Sequence, residues 1–175
     1  MSLLCGLRPG EALGLPWRAV DLKEGTLEIV QSLERHPDGK YYFGPPKKDS
    51  YRTVQLTDSA VEALHKHRAH QRADKRKAPM WEESGLVFTT KIGTHLDFSN
   101  HRRMVRGLCD EADIEPLISP NELRHSAATL LTEAGVPMQD VADMLGHRDT
   151  RMVAAVYRHK RGVVNVTKGQ EKMLG

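Results

Sequence analysis

The most restrictive feature of this sequence is a change in the spacing of its apolar residues near residue 59. Before this point, residues 26–31, 40–43 and 51–56 alternate or are rich in β-branched and aromatic side chains, which is typical of strands. After it, apolar residues recur at intervals of three and four, which predicts helices. Together the two patterns predict a mixed α+β fold, mainly α-helical with a small three-stranded antiparallel sheet.

Residues that commonly begin and end helices divide the last third of the chain. Ser119, Pro120 and Glu122 follow the order of an N-cap, a first helical residue and a capping-box glutamate. Gly135 and Gly146 each follow apolar residues at helical spacing, and glycine is the usual residue just beyond a helix end. We therefore expect two helices here, one before each glycine.

Weaker signals predict three further helix starts. Ser59 begins a capping-box pattern, and Ser99 is a candidate N-cap for a later helix. Asp149 or Thr150 is a candidate cap for a short helix that ends near Tyr157.

The helix expected after Ser99 has a predicted inward face. His101, Val105, Leu108 and Ala112 are separated by four, three and four residues, which places them on one side of a helix. We expect these four side chains to face the core.

Length and composition predict a single domain, and the small number of cysteines predicts a protein of a reducing compartment. The 175 residues are 39% hydrophobic and 28% charged, which excludes collagen-like and wholly disordered chains. The two cysteines, Cys5 and Cys109, are too few for a disulfide framework. No apolar run reaches the roughly 20 residues that a bilayer requires, and the N-terminus is too short for a signal sequence. We expect a cytoplasmic protein with no membrane partner.

The charge distribution permits a nucleic-acid partner without establishing one. The chain carries 26 Lys and Arg against 23 Asp and Glu, a net charge of +3. Six Lys or Arg residues cluster within residues 65–77, a second basic cluster lies near the C-terminus, and such clusters attract phosphate. A solvated helix face and a frayed tail explain the two clusters at least as well, and for each cluster alone we favour that interpretation.

The common catalytic signatures are absent from the sequence. It contains no Walker loop, no dinucleotide-binding glycine motif, no H-E-x-x-H and no G-x-S-x-G. His65, His67 and His70 are two and three residues apart, and no carboxylate accompanies them, so a metal site there is not expected.

Four polar side chains stand where a simple helical core does not require them. Arg124 leaves the edge of an apolar helix face, and His147 directly follows a helix-ending glycine. Tyr157 ends a short predicted helix, while Arg8 precedes a proline, with Glu11 close enough to orient it. Each of them alone also fits a structural role, as an ion-pair partner, a core rim or a helix cap.

The order and spacing of these residues resemble the tyrosine recombinase (phage integrase) family. Residues 6–15 (GLRPGEALGL) resemble the segment with the first catalytic arginine, here Arg8. Residues 121–129 (NELRHSAAT) resemble the H-x-x-R box, with Arg124 as its arginine. The L-G-H motif ends at His147, and Tyr157 matches the nucleophile ten residues later.

The same resemblance implies a catalytic lysine and one departure from the family pattern. Residues 46–56 are similar to the β-hairpin that carries the lysine, and the spacing favours Lys47 over Lys48. Asn121 stands where the family usually has the first histidine of the box, and an asparagine can donate a hydrogen bond but cannot relay a proton.

The resemblance implies DNA strand cleavage and rejoining. Arg8 and Arg124 would neutralise the phosphate charge, and Tyr157 would form a 3′-phosphotyrosyl intermediate. Lys47 would protonate the leaving 5′ oxygen, and His147 would bind the phosphate or assist proton transfer. This chemistry requires no metal and no cofactor. The expected function is site-specific integration or excision of a phage or integrative element, in the bacterial cytoplasm at the nucleoid.

The resemblance also implies partners and a domain organisation. We expect residues 1–175 to form a single integrase catalytic domain, without the N-terminal core-binding domain and the opening helix of the family. The expected partners are double-stranded DNA, three further copies in a tetramer of the full-length protein, and accessory DNA-bending or excision factors. Two alternatives remain: a non-catalytic DNA-binding remnant, and a type IB topoisomerase-like enzyme, against which the L-G-H motif argues.

Overall fold

The computed structural model describes residues 1–47 and 50–146, and the elements below belong to these residues. The helices are α1 (Pro9–Leu13), α2 (Asp58–Lys77), α3 (Phe98–Glu111), α4 (Pro120–Glu133) and α5 (Met138–Leu145). The strands are β1 (Val20–Asp21), β2 (Thr26–Ile29), β3 (Ser32–Arg35), β4 (Tyr41–Gly44) and β5 (Arg52–Gln55). The predicted class, mainly helical with small antiparallel sheets, is confirmed.

The strands form two antiparallel sheets, and their pairing differs from the prediction. The three-stranded sheet has the order β1-β2-β5, with Leu27 opposite Val54, and β3 pairs with β4 in a separate hairpin. The strand expected at residues 40–43 therefore pairs with β3 and not with the other two predicted strands. The reason is local: the turn before β4 closes with a hydrogen bond of 2.8 Å from the His36 N–H to the Lys40 carbonyl.

Two helices begin earlier than predicted. Thr57, not Ser59, caps α2, because its hydroxyl accepts a hydrogen bond from the backbone N–H of Ala60 at 3.3 Å. Asp97, not Ser99, caps α3 and accepts from the N–H of Asn100 at 2.7 Å. In both cases the side chain that reaches the third helical N–H lies two residues before the predicted serine, which falls inside the first turn.

The signals in the last third are confirmed within the described residues. Ser119 caps α4, and the carboxylate of Glu122 accepts a hydrogen bond from the backbone N–H of Ser119 at 2.6 Å. Gly146 ends α5 in the left-handed conformation, with φ of 64°. The helix expected after Asp149 or Thr150 lies outside the described residues.

The inward face of α3 differs from the predicted one. Val105 and Cys109 are buried, whereas Leu108 is 64% exposed and Ala112 is exposed. The buried positions follow His101 at intervals of four residues, so the predicted step of three residues, from Val105 to Leu108, placed the buried face on the wrong side of the helix.

Both cysteine thiols are free. Burial raises the pKa of the Cys5 thiol to about 11.

The core consists of two adjoining apolar clusters. One surrounds the three-stranded sheet and includes Leu7, Leu15, Leu27, Ile29, Val54, Leu56, Leu64 and Val87. The other lies between α4 and α5 and includes Leu131, Val136, Val141 and Leu145. Met144 packs against both clusters, so α5 joins the helical part of the fold to the sheet.

The long helix α2 carries the basic cluster on a largely solvent-exposed surface. Lys66 pairs with Glu62 at 2.6 Å, and the guanidinium of Arg68 stacks over the Trp17 ring at 4.9 Å. These contacts agree with a solvated helix face. They do not test whether the basic cluster binds phosphate. Across the part of the chain that the structure describes, no helix combines the length and apolarity needed to cross a membrane.

Candidate active site

The centre of the candidate site is the buried carboxylate of Glu11. Glu11 is the third residue of α1, and one of its oxygens accepts a hydrogen bond from the backbone N–H of Arg8 at 2.8 Å. This bond places the carboxylate back over the helix start, as in a capping box. The side chain has no solvent-exposed surface, so its charge must be balanced by neighbouring cations.

Arg8 connects this carboxylate to two other segments. Its Nη1 donates to Glu11 Oε1 at 2.7 Å and to the Ser50 hydroxyl at 3.0 Å, and its Nη2 donates to the Gly146 carbonyl at 3.4 Å. The side chain of Arg8 retains 24% exposure, so it is partly open to solvent. The sequence prediction that Glu11 orients Arg8 agrees with this contact.

Arg52, on β5, is a second cation that binds the same carboxylate. It is not among the site residues predicted from the sequence. It donates to both oxygens of Glu11, at 3.1 and 2.7 Å, and its Nε donates to the Met144 carbonyl at 2.6 Å. The Arg52 guanidinium thereby links the three-stranded sheet to Glu11 and to the end of α5. The one signal for Arg52 in the sequence is its place within residues 46–56, the same segment that contains Lys47.

Arg124 approaches the same carboxylate from α4. Its Nη1 lies 3.9 Å from Glu11 Oε2, and its guanidinium donates to the backbone carbonyls of Gly6 and Leu145. Its side chain is only 7% exposed. Burial and the charge of Arg8 lower the pKa of Arg124, while Glu11 raises it; the group stays cationic at neutral pH.

Three arginines therefore meet around one carboxylate and leave an excess of positive charge. Burial acts to raise the pKa of Glu11, but the hydrogen bonds and charge of Arg52, followed by those of Arg8, outweigh burial and lower it. Glu11 is therefore ionised at neutral pH, and a cluster of three cations and one anion attracts a second anion.

A groove of about 540 Å³ opens beside Arg8. Its lining includes Arg8, Arg35, Lys47, His101, Arg102 and Asn121. The structure thus brings Lys47 and Asn121 into the groove that Arg8 faces. Lys47 is exposed and belongs to the connection between β4 and β5, which pair with different partners, so the expected lysine hairpin is not formed by these two strands.

Two predicted site residues lie outside the described residues: His147 and Tyr157. Gly146 immediately precedes His147, and its carbonyl accepts the hydrogen bond from Arg8. Within the described ranges 1–47 and 50–146, no group of three or more His, Cys, Asp or Glu residues is arranged to hold a metal ion.

Comparison with protein families decides the identity of the chain. The profile of the phage integrase family matches residues 1–162. The chain belongs to the phage integrase family. The resemblance drawn from the sequence motifs is therefore confirmed.

Relatives of this integrase-family chain are found among bacterial recombinases. A tyrosine recombinase XerC-like protein of Caldanaerobacter subterraneus subsp. tengcongensis is 34% identical over 167 residues, which cover 88% of this chain and 42% of that protein. An integrase of Streptomyces ambofaciens is 33% identical over 170 residues, covering 90% of this chain and 42% of the relative. The chain thus spans less than half of the length of these relatives.

Solved structures share the fold. The Tn1549 transposon integrase, solved in complex with transposon right end DNA, aligns with a TM-score of 0.75 at 20% identity, over 91% of this chain and 53% of that chain. The XerA recombinase aligns with a TM-score of 0.69 at 23% identity, over 98% of this chain and 53% of that chain. At these identities, the likeness establishes the fold of the integrase-family chain.

Proposed function

We propose that this chain is the catalytic part of a site-specific DNA recombinase of the tyrosine type. The observation that carries the proposal is the meeting of Arg8 and Arg124 at one carboxylate beside a groove that also contains Lys47. Planar guanidinium groups match the oxygens of a phosphate diester and neutralise the charge that develops during its cleavage. The excess positive charge around Glu11 suits the same anion.

In this proposal, cleavage and rejoining use only protein side chains. The Tyr157 hydroxyl attacks the phosphorus, its proton passes to His147 or to water, and a 3′-phosphotyrosyl bond forms. The P–O5′ bond breaks as Lys47 gives a proton to the departing oxygen. Attack by a 5′ hydroxyl on the phosphotyrosine reverses these transfers and releases Tyr157.

Arg8 and Arg124 have different surroundings, which suggests different roles within this mechanism. Arg8 is partly open to the groove and fixed by Glu11 and Ser50, so it is suited to bind a nonbridging oxygen directly. Arg124 is nearly buried and held by two carbonyls, so its charge acts in a medium of low polarity, where it counts for more.

We further propose partners for the full-length protein. The chain spans less than half of its relatives' length, and we propose that a core-binding domain like that of the family completes the grip on double-stranded DNA in the full-length protein. The family relation supports our proposal that the full-length protein acts as a tetramer on DNA at the bacterial nucleoid, with accessory DNA-bending or excision factors. The relatives' names favour recombination over a topoisomerase-like activity.

A nicked suicide substrate tests the function directly. Full-length protein should form a covalent adduct with nicked duplex DNA, and should do so equally well in EDTA, because every proposed charge-neutralising group is a protein cation. Tyr157→Phe should abolish the adduct and leave DNA affinity within about threefold, since binding rests on many backbone contacts. A wild-type protein that binds DNA without forming an adduct is the result expected of a DNA-binding remnant instead.

A further inference from the structure

Arg52 is a buried cation of the site that does not line the groove beside Arg8. Its side chain is only 7% exposed, and it is absent from the described residues that line this groove. The cavity that it does line lies between residues of β5 and α5. Any contribution of Arg52 to cleavage therefore passes through the groups that it holds.

Arg52 holds two of the groups that bind Arg8. Among the described residues, the Arg8 guanidinium donates to Glu11, Ser50 and Gly146. The Nη1 of Arg52 donates to Glu11 Oε1 and to the Ser50 carbonyl, each at 3.1 Å, and its Nη2 donates to Glu11 Oε2 at 2.7 Å. The same Glu11 oxygen and the same serine therefore bind both arginines.

Arg52 also holds the end of α5, which supplies the third of these groups. Its Nε donates to the Met144 carbonyl at 2.6 Å, two residues before Gly146. A Cβ added at Gly146 would lie 3.0 Å from Arg52 Nη1, so the guanidinium packs closely against this residue. The position of the Gly146 carbonyl, which accepts from Arg8, therefore depends on Arg52 as well.

The fork of Arg52 also limits how Arg8 binds the carboxylate. A guanidinium and a carboxylate prefer two parallel hydrogen bonds, and Arg52 has this arrangement with Glu11. The Arg8 side chain instead makes one bond to Glu11, at 2.7 Å, while it lines the groove. Without the fork, Arg8 could pair with both oxygens of Glu11 and turn away from the groove.

We propose that Arg52 is a positioning residue for strand cleavage, which holds the acceptors of Arg8 and thereby directs the Arg8 guanidinium toward a nonbridging oxygen of the DNA phosphate. This inference rests on the proposed function. Loss of Arg52 should slow the chemical step, because Arg8 then neutralises the phosphate charge less well.

Arg52→Lys in the full-length protein tests this role. Lysine keeps a positive charge beside Glu11, but one ammonium group cannot reproduce both the fork and the bond to the Met144 carbonyl. Single-turnover adduct formation on saturating nicked duplex DNA should slow by about 100-fold, the effect of misplacing a group by about 1 Å. DNA affinity should stay within about threefold, since binding rests on many backbone contacts.

A substrate with an uncharged phosphorus centre separates positioning from a structural role. A methyl group in place of one nonbridging oxygen of the cleaved phosphate removes the negative charge that Arg8 neutralises. On this methylphosphonate DNA, the wild type and Arg52→Lys should differ by less than about tenfold. A general loss of structure would slow the cleavage of both substrates equally.

A double variant tests whether Arg52 acts through Arg8. In an Arg8→Ala protein the group to be positioned is gone, so adding Arg52→Lys should slow adduct formation by no more than about threefold. Independent effects would multiply instead.

Leu64→Ala is the matched control for stability. Leu64 is buried in the cluster around the sheet and belongs to α2, which supplies none of the described residues that line the groove. Its truncation should lower the melting temperature. Below that temperature the variant should cleave both substrates like the wild type.

The outcomes are distinguishable. If the wild-type protein forms no adduct, the proposed function fails, and this inference with it. If the wild type is active and Arg52→Lys cleaves within about threefold of it, the proposed function stands and Arg52 is not a positioning residue. Equal slowing on the two substrates, or multiplied effects in the double variant, also overturns the inference.

A second variant covers the case in which Arg52→Lys does not fold. Arg52→Gln keeps an N–H donor near Glu11 without the charge, and it should show the same difference between the two substrates. If neither variant folds, the inference is wrong, because Arg52 then serves the fold and not the direction of Arg8.

Discussion

Replacing Glu11 with glutamine tests whether one buried carboxylate organises the three arginines around it. Its oxygens accept four hydrogen bonds, from the backbone N–H and Nη1 of Arg8 and from Nη1 and Nη2 of Arg52. Glutamine has nearly the same shape, but it is uncharged, and one of its two terminal atoms donates instead of accepting. Glu11→Gln therefore preserves the packing and removes the anion.

The size of the effect follows from the bonds that the amide cannot replace. The amide oxygen can keep two of the four hydrogen bonds, whereas the amide nitrogen would face N–H donors. Two lost bonds to charged groups amount to about 3–6 kcal/mol, and removing one member of a buried ion pair costs about 3–5 kcal/mol. We expect the free energy of unfolding to fall by about 3–5 kcal/mol and the melting temperature by about 6–20 °C.

The loss of stability should depend on pH. The pKa of Glu11 in the folded protein lies below its ordinary value of 4.5. A carboxyl group of this kind adds stability that is complete above the unfolded-state pKa and disappears as the pH falls through the folded-state pKa. The difference between wild type and Glu11→Gln should therefore be full at pH 7 and shrink below about pH 4.5.

Urea unfolding followed by circular dichroism across this pH range measures both effects. Glu122→Gln is the matched control, because Glu122 occupies the same capping position in α4 but is exposed. Glutamine also serves in a capping box, so this control should unfold at the wild-type urea concentration. If Glu11→Gln and Glu122→Gln lose the same free energy of unfolding, the reasoning is refuted, because Glu11 then contributes only as a helix cap.

Two further predictions concern the groove and the end of α5. Lys47→Ala should slow cleavage of a normal 5′-oxygen leaving group far more than that of a 5′-bridging sulfur, measured as single-turnover rates, because a good leaving group needs no acid. If the 5′-bridging sulfur restores cleavage by Lys48→Ala and not by Lys47→Ala, Lys48 is the general acid instead of Lys47. Gly146→Ala should lower the free energy of unfolding by at least about 1 kcal/mol and the urea midpoint with it, since φ is 64° and an added Cβ would lie 2.9 Å from Ser50 Cβ. An unchanged midpoint would show that the end of α5 shifts freely.

Local features of this protein were predictable from the sequence because their causes lie within a few residues. The Ser119 cap and the left-handed Gly146 depend on hydrogen bonds and backbone angles of their own turns. The family motifs identified Arg8 and Arg124 as members of one site for the same reason: each lies in a short, recognisable segment. Where the local signal was ambiguous, as with Ser59 and Ser99, the predicted caps were wrong by two residues.

The meeting of distant segments was decided by the tertiary structure alone. The turn at residues 36–40 joins β4 to β3 locally, but no local pattern shows that β5 pairs with β2, because that pairing depends on which strand edges remain free after the hairpin closes. Likewise, nothing near Arg52 in the chain indicates that its guanidinium bridges Glu11 and the Met144 carbonyl. The sequence by itself indicated Arg8 and Arg124 as the cationic side chains of the proposed phosphate site. The packing of α1, β5, α4 and α5 determined that these two arginines and Arg52 meet at one carboxylate, because burial there forces every charge to find a partner.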